Sequence, residues 1–353
     1  MFKFLRSVLI SLTAMSLVLT ACGGEDASVA DGPALVVVTT NILGDVVEEL
    51  VGDLVTVETV MPPGADPHVF QASAKQVDQM MNADVLVVNG ASFEEGLLDI
   101  VKSVEADGVN VVEAMSFVRV LEFGDDHDDH DDHDDHDDHD DHDDHDDHDD
   151  HGDHDDHDDH GDHDDHQGHN HSGDDPHFFT DPVQMVSVVE GLVEFLIGNI
   201  SGLDANLVRS NADSYVGELQ ELHADISERF NEIPSNKRVL VTNHEVFAYF
   251  AKQYDFEVVG TVIPSSSTSD SASAKGLAEL VDVIKDYEVP AIFADIASSD
   301  VLAETLAEEV GDIQVVDLYS ESLGAEGSGA ATYLGMVRTN ATRISEALTG
   351  HDH

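Results

Sequence analysis

One cysteine, Cys22, stands in a chain of 353 residues. No disulfide can form within the chain, and a metal site built from several thiolates is excluded. Cationic residues are scarce too: 14 Lys and Arg face 75 Asp and Glu, for a formal net charge of -61. A surface of that sign repels nucleic acid and anionic lipid and attracts cations, so a nucleic-acid partner is not expected. Beyond the N-terminus no run is long and apolar enough to span a bilayer. HExxH, GxSxG and glycine-rich phosphate loops are missing as well, which leaves no standard hydrolase or nucleotide-binding motif.

What is present begins with "MFKFLRSVLISLTAMSLVLTAC". Lys3 and Arg6 precede an apolar stretch from Val8 to Leu19, the layout of a secretory signal and short for a spanning helix. The stretch closes in "LTAC", which resembles the lipobox of bacterial lipoproteins. That resemblance implies that Cys22 is lipidated, becomes the mature N-terminus and anchors the protein to the membrane outside the cytoplasm. Residues 1–21 are then a lipoprotein signal peptide and 22–33 a flexible tether.

Apolar strands alternate with amphipathic helices from there on, the pattern of a parallel α/β sheet. "ALVVVTT" reads as a buried strand and "NILGDVVEELVG" as the helix after it; "LVTVETVM" and "ADVLVVNG" are further strands, with a helix over Ala74–Met81 between them. Order resumes at "DPHFFTDPVQM", with a helix after Pro182. Val208, Ala212, Tyr215, Leu219, Leu222, Ile226 and Phe230 recur at steps of three and four, so a single long helix is expected from about Asp204 to Ile233, stopped by Pro234. The second half then repeats the first. "RVLVTNHEVFAYFAKQY" parallels "LVVVTTNILGDVVEELV", "TVIPSSSTSDSASAKGLAELV" parallels "TVMPPGADPHVFQASAKQVDQM", and "VPAIFADIAS" parallels "ADVLVVNGAS". The expected fold is α/β: two pseudo-symmetric lobes with mostly parallel sheets, joined by a long rigid helix, with a binding site in the cleft beyond the carboxyl ends of the strands. The lobes span 34–200 and 235–350, with the linking helix at 201–234.

Within the first lobe, an insertion at 124–175 breaks the pattern. From Asp125 to His166 run fourteen triplets, most of them Asp-Asp-His, holding 26 Asp. With almost no apolar residues and strong self-repulsion, this run is expected to be disordered. Its histidines, His127, His130, His133, His136, His139, His142, His145, His148, His151, His154, His157, His160, His163 and His166, together with His169 and His171, make an array of weak cation sites.

Outside this run and the tail, four histidines remain: His68, His177, His223 and His244. His223 borders the apolar stripe of the long helix and reads as structural. The others lie in loops or at strand ends. His68 and His177 share the tripeptide Asp-Pro-His, in which proline stiffens the loop and so lowers the entropy lost in aiming the ring. His244 follows "RVLVTN" and Asp295 follows "PAIF", each at the carboxyl end of a strand. These three imidazoles and one carboxylate, two residues from each lobe, suit Zn²⁺ at ~2.0–2.2 Å per bond. Asp300 and Asp270 compete with Asp295 for the fourth place, and Asp66 or Asp175 could accept a ligand's N–H from behind. Binding needs neutral imidazoles, so affinity is expected to fall as pH drops through the histidine range near ~6.5.

The blocks "TTNILGDVVEELVG", "PPGADPHVFQAS", "DPHFFTDPVQM", "TNHEVFAYFA", "AIFADIASSDVLAETLAEEVG" and "ESLG…TYLGMVRTN" resemble those of the zinc and manganese solute-binding lipoproteins of bacterial ABC importers. The resemblance covers nearly everything after Cys22. It implies two lobes on a rigid backbone helix, small motions on metal release, and the ligands His68, His177, His244 and Asp295. The manganese branch commonly has Glu where His244 stands, and a His/Asp-rich insertion is typical of the zinc branch, so the resemblance implies zinc. One departure is "DPHFFTDP", where the family more usually has an aliphatic-Trp-Leu pattern; with no Trp in the chain, Phe178 or Phe179 is expected to fill that role. The expected function is capture of Zn²⁺ and delivery to a membrane permease by a monomer, with the histidine run as an auxiliary collector. The alternatives are a manganese or iron carrier of the same family, a surface adhesin or zinc buffer, and, least, a zinc hydrolase.

Overall fold

Residues 33–121, 173–311 and 313–350 are described by a computed structural model of the chain. The β-branched run after Pro33 forms β1 (Leu35–Val38), whose Val36, Val37 and Val38 are fully buried because helices cover both faces of the sheet. Thr40 then caps α1 (Asn41–Val51), its hydroxyl accepting the Leu43 N–H. β2 (Thr56–Thr59) follows, then the loop 60–73 and α2 (Ala74–Met81), opened by a capping box between Ser73 and Gln76. β3 (Val85–Val88), α3 (Leu98–Ala106) and β4 (Asn110–Glu113) complete a four-stranded parallel sheet in the order β2-β1-β3-β4.

Beyond the histidine run the chain makes a single 3-10 turn at Phe178–Thr180, and Asp181 and Pro182 start α4 (Pro182–Asn199). Next comes α5 (Ala205–Asn231), capped by Asp204. The second lobe holds β5 (Val239–Thr242), α6 (Ala248–Tyr254), β6 (Glu257–Thr261), α7 (Ala274–Asp286), β7 (Ala291–Asp295), α8 (Val301–Val310), β8 (Gln314–Leu318) and α9 (Tyr333–Thr349). Its sheet order, β6-β5-β7-β8, repeats that of the first lobe strand for strand, again all parallel. The repeated "SAK" tripeptide opens a helix in both halves, since Ser273 caps α7 through Gly276 N–H, as Ser73 caps α2. Among the described residues no helix is long and apolar enough to cross a membrane.

α5 ends at Asn231, two residues short of the sequence expectation, because Glu232 and Ile233 continue only as a closing turn before Pro234. All seven stripe residues are buried. They sit in one continuous core that takes Val36 and Val47 from the first lobe and Leu240, Phe293 and Tyr333 from the second. The outer faces of the sheets have smaller cores of their own, under α2 and α3 on one side and α7 and α8 on the other. At ~1.5 Å per residue, α5 is a strut of about 40 Å, and close packing on both lobes makes it a poor hinge. Leu219→Ala, at its fully buried centre, is expected to lower unfolding free energy by about 2–5 kcal/mol. Urea denaturation of the metal-free protein measures this, and a change below about 1 kcal/mol would contradict the strut's place in the core.

Candidate metal site

Each of the three loop histidines is set by a local device. In both Asp-Pro-His tripeptides the aspartate turns back on the chain: Asp66 Oδ1 accepts the His68 backbone N–H at 2.9 Å, and Asp175 Oδ1 accepts that of His177 at 2.9 Å. This is an Asx turn stiffened by proline. The rings are then held differently. His177 Nδ1–H donates to the same Asp175 Oδ1 at 2.7 Å, whereas His68 Nδ1–H donates to Glu95 Oε1 at 3.2 Å. His244 leaves the end of β5, where Thr242 Oγ1 donates to its carbonyl at 2.8 Å.

With Nδ1 of His68 and of His177 engaged behind, the Nε2 atoms are aimed at one another. A single carboxylate oxygen, Glu321 Oε1, lies 2.8 Å from His68 Nε2, 3.1 Å from His244 Nε2 and 3.2 Å from His177 Nε2. The four ligand atoms all fall within 4.8 Å of one another, and all four residues are buried. Those spacings approach the ~3.3 Å edge of a tetrahedron with ~2.0 Å bonds to a central ion. Glu321 Oε2 is also buried and has no hydrogen-bond partner among the described residues, the kind of unmet acceptor that a cation satisfies.

The fourth member is where sequence reasoning and structure part. Asp295, the expected carboxylate, is the last residue of β7 and is buried. Its Oδ1 accepts the Ala297 N–H at 2.8 Å, and its buried Oδ2, like Glu321 Oε2, has no hydrogen-bond partner among the described residues; the carboxylate oxygen grouped with the three imidazoles is that of Glu321. The competing acids are elsewhere: Asp270 accepts from Ser265 Oγ at 2.5 Å, and Asp300 stands at the start of α8. Glu321 was open to detection, since it follows β8, the strand next to β7, by three residues; the rule that ligands gather beyond strand ends applies to it equally. His223 packs its ring on Tyr254, with Nδ1 3.3 Å from the hydroxyl, a structural role. The run from His127 to His171 and Cys22 lie outside the described residues.

The aromatic surround explains the dryness of the pocket. Phe93 packs edge-on to His68 and His177, at 5.3 and 5.6 Å, and Phe179 packs on both Phe93 and His177. Phe178 and Phe179 are both fully buried, as the place of the missing tryptophan requires. Phe93 is carried there by an unusual turn: Gly90, Ala91 and Ser92 all have positive φ, at 92°, 49° and 60°. Left-handed backbone costs a non-glycine residue about 1–3 kcal/mol and persists where surrounding structure enforces it. Here the enforcing group is Glu94, whose Oε1 accepts from Thr39 Oγ1 at 2.5 Å and from Asn89 N–H at 2.6 Å.

Charge in the pocket is strongly coupled. Burial alone would lower His177, but the Asp175 charge and hydrogen bonds from Asp175 and Glu321 outweigh it and raise the imidazole to about 9. His68 is likewise lowered by burial and raised, on balance, by Glu321. Burial would raise Glu321, yet the imidazoles of His244 and His68 hold it well below the usual carboxylate range. Asp295 goes the other way: burial first, then the charge of Glu321, push it well above that range. Glu321 is thus held toward its charged form and Asp295 toward its neutral one.

Comparisons with known proteins bear on the family and the fold. The profile of the family ZnuA, "Zinc-uptake complex component A periplasmic", matches residues 36–347. The manganese-binding lipoprotein MntA of Halalkalibacterium halodurans is 26% identical over 337 residues, 95% of this chain and 96% of that one. The zinc-binding protein TroA of Treponema pallidum is 27% identical over 333 residues, 93% and 92% of the two chains. The solved structure of TroA superposes with a TM-score of 0.71 at 25% identity, covering 90% of this chain and 99% of that one.

Proposed function

The chain belongs to the ZnuA family of periplasmic metal-binding components of ABC importers, which are not enzymes, and from that premise we propose that it captures Zn²⁺ outside the cytoplasm and hands it to a membrane permease. The observation that carries this reading is the buried convergence of three imidazole nitrogens and one carboxylate oxygen, contributed by His68, His177, His244 and Glu321. Imidazole suits zinc, oxygen-rich sets suit manganese, and at equal geometry zinc binds more tightly than manganese. Four protein donors close a tetrahedron and leave no open position for an activated water, which fits carriage and not catalysis. Manganese has its own support, since Asp295 sets a second buried carboxylate beside Glu321 and MntA is named for that metal.

The histidine run serves, on this reading, as a low-affinity zinc collector. Its flanks favour such a role: Asp175 N–H donates to the Leu121 carbonyl at 2.8 Å, so the chain leaves and re-enters the fold at one point, two residues before His177. Tyr249 of the second lobe clasps that point, accepting from Leu121 N–H at 3.0 Å and donating to the Asp175 carbonyl at 3.1 Å. Residues 1–21 act as the signal peptide, Cys22 as the lipid anchor, and the monomer as the unit that docks.

Because Leu121 and Asp175 already touch, residues 122–174 can be replaced by a short Gly-Ser linker without straining either end. The shortened protein is expected to keep one tightly held zinc per chain, while the full chain binds several more ions loosely. Elemental analysis after dialysis, with zinc and manganese offered together in equal amount, reads both. Manganese outcompeting zinc in the shortened chain would overturn the zinc assignment, and loss of the tight ion with the run would overturn the collector role.

A further inference from the structure

The members of the site are not equally deep. His177 and His244 have no exposed surface and Glu321 2%, whereas His68 keeps 5%. The groups behind the rings differ in the same sense: the Asp175 side chain that holds His177 is 1% exposed, and the Glu95 side chain that holds His68 is 37% exposed. The site is therefore shallowest beside His68, and an ion has its shortest path to solvent there.

The cover over this edge comes from the other lobe. Residues 264–270, Pro-Ser-Ser-Ser-Thr-Ser-Asp, follow β6. In the internal repeat they hold the place that the His68 loop holds after β2. Thr268 Oγ1 donates to Asp66 Oδ2 at 2.7 Å, and Ser269 Oγ donates to Glu95 Oε2 at 3.3 Å. The remaining oxygens of the same two carboxylates serve His68: Asp66 Oδ1 takes its backbone N–H and Glu95 Oε1 its ring N–H. Each acid thus spans from the histidine to the opposite lobe. The loop itself is tied mainly to itself, through Ser265 with Asp270, Ser267 with Ser265 and Ser269 with Ser267. It carries no large apolar side chain beyond Ile263 to pin it to a core, and its base is held where the Glu245 N–H donates to the Ser265 carbonyl at 2.9 Å, so the part beyond Ser265 can swing when the two outward side-chain bonds break.

We infer that Asp66 and Glu95 are positioning residues for His68 and that, with Thr268 and Ser269, they form a two-point latch across the cleft that sets the rate of metal entry and release. The inference rests on His68 being a ligand of the carried ion. A latch lowers both rates together, because the same two bonds must open for passage in either direction. It therefore changes kinetics more than affinity, unlike a residue that contacts the ion.

The test is a chelator chase on the full-length, zinc-loaded protein, following the slowly released ion, with association and equilibrium affinity measured alongside. Thr268→Ala with Ser269→Ala leaves every group that faces the ion in place. Release and association are expected to quicken together by about tenfold, in line with the loss of charge-assisted hydrogen bonds, while affinity moves less than about threefold. Glu95→Gln, whose amide oxygen can accept the His68 ring N–H while its NH2 donates to Ser269 Oγ, should release zinc near the wild-type rate, and Glu95→Ala should release it faster. Unchanged release in the double variant overturns the latch, and so does a loss of affinity as large as the gain in release rate. A wild-type protein with no slowly released zinc would fail at the binding step, which removes the premise and the latch with it.

Discussion

Glu321→Ala is expected to weaken zinc binding on the order of a thousandfold, and Asp295→Ala by only about 10–100-fold. Zinc sites of four protein donors hold roughly 10–16 kcal/mol in total, so one donor accounts for about 3–4 kcal/mol, and every 1.4 kcal/mol is about a factor of ten. Glu321 stands to lose that share because its Oε1 faces all three Nε2 atoms at 2.8–3.2 Å. It is also held toward its charged form by His244 and His68, whereas Asp295 is pushed toward its neutral form by burial and by Glu321. Asp295 stands outside the group of four, and a carboxylate that supports a ligand without contacting the ion typically contributes one to two powers of ten. Competition titrations of both variants, with His68→Ala as a reference for the loss of a ligand, decide the matter. If Asp295→Ala cost more than Glu321→Ala, the carboxylate in the site would be Asp295.

The second large effect is on pH. With His177 raised to about 9, its ring is protonated in the metal-free protein throughout the neutral range, and zinc must displace that proton. Affinity is expected to climb about tenfold per pH unit for each proton released, hence roughly a hundredfold from pH 6 to pH 8 for one imidazole. His68, also raised, steepens the slope wherever it shares the protonation. The window thus lies above the ~6.5 of a free imidazole, because Asp175 and Glu321 place anionic oxygens against rings that burial alone would have kept neutral.

Stability follows with a definite sign. A histidine whose folded value exceeds its unfolded one stabilises the fold fully below the unfolded value and loses that contribution as pH rises through the folded value. For His177 the loss runs from about 6.5 to about 9 and amounts to about 3 kcal/mol. The metal-free protein should therefore lose stability across that range, while the zinc-loaded protein, whose His177 carries no proton, should change little, because the rise in affinity offsets the loss. Melting curves at pH 6 and pH 9 should show a marked loss of stability in the chelator-treated sample and little change in the loaded one. Parallel slopes would show that His177 does not hold its proton in the metal-free state.

Much of this molecule was legible in its residues because the signals are local. Hydrophobic periodicity placed α5 and named all seven of its buried stripe residues, since a helix buries whatever recurs every three to four positions. The duplicated blocks announced two sheets of one topology. The three histidines could be picked out because each sits in a stretch with its own conformational reason, an Asp-Pro-His turn or a strand end. The sequence offered Asp295 as the carboxylate, and the structure sets Glu321 beside the three rings as a second candidate. Asp295 ends one of two adjacent parallel strands and Glu321 lies three residues beyond the other, and nothing in a strand's pattern says how far the loop after it reaches. The segment beyond β8 carries Glu321 into the cleft, where Asn41 of the first lobe receives the Leu323 N–H at 2.7 Å and donates to Ser322 Oγ at 2.9 Å. Asp295 is held at its strand end by its own turn to Ala297. The ties of Thr268 and Ser269 to Asp66 and Glu95 were hidden for the same reason, being contacts between residues some 174 to 202 positions apart. Local spacing along the chain determined the lobes, the strut and the three imidazoles. Which acid meets them, and what closes over them, depended on the paths of loops whose positions only the docking of one lobe on the other decides.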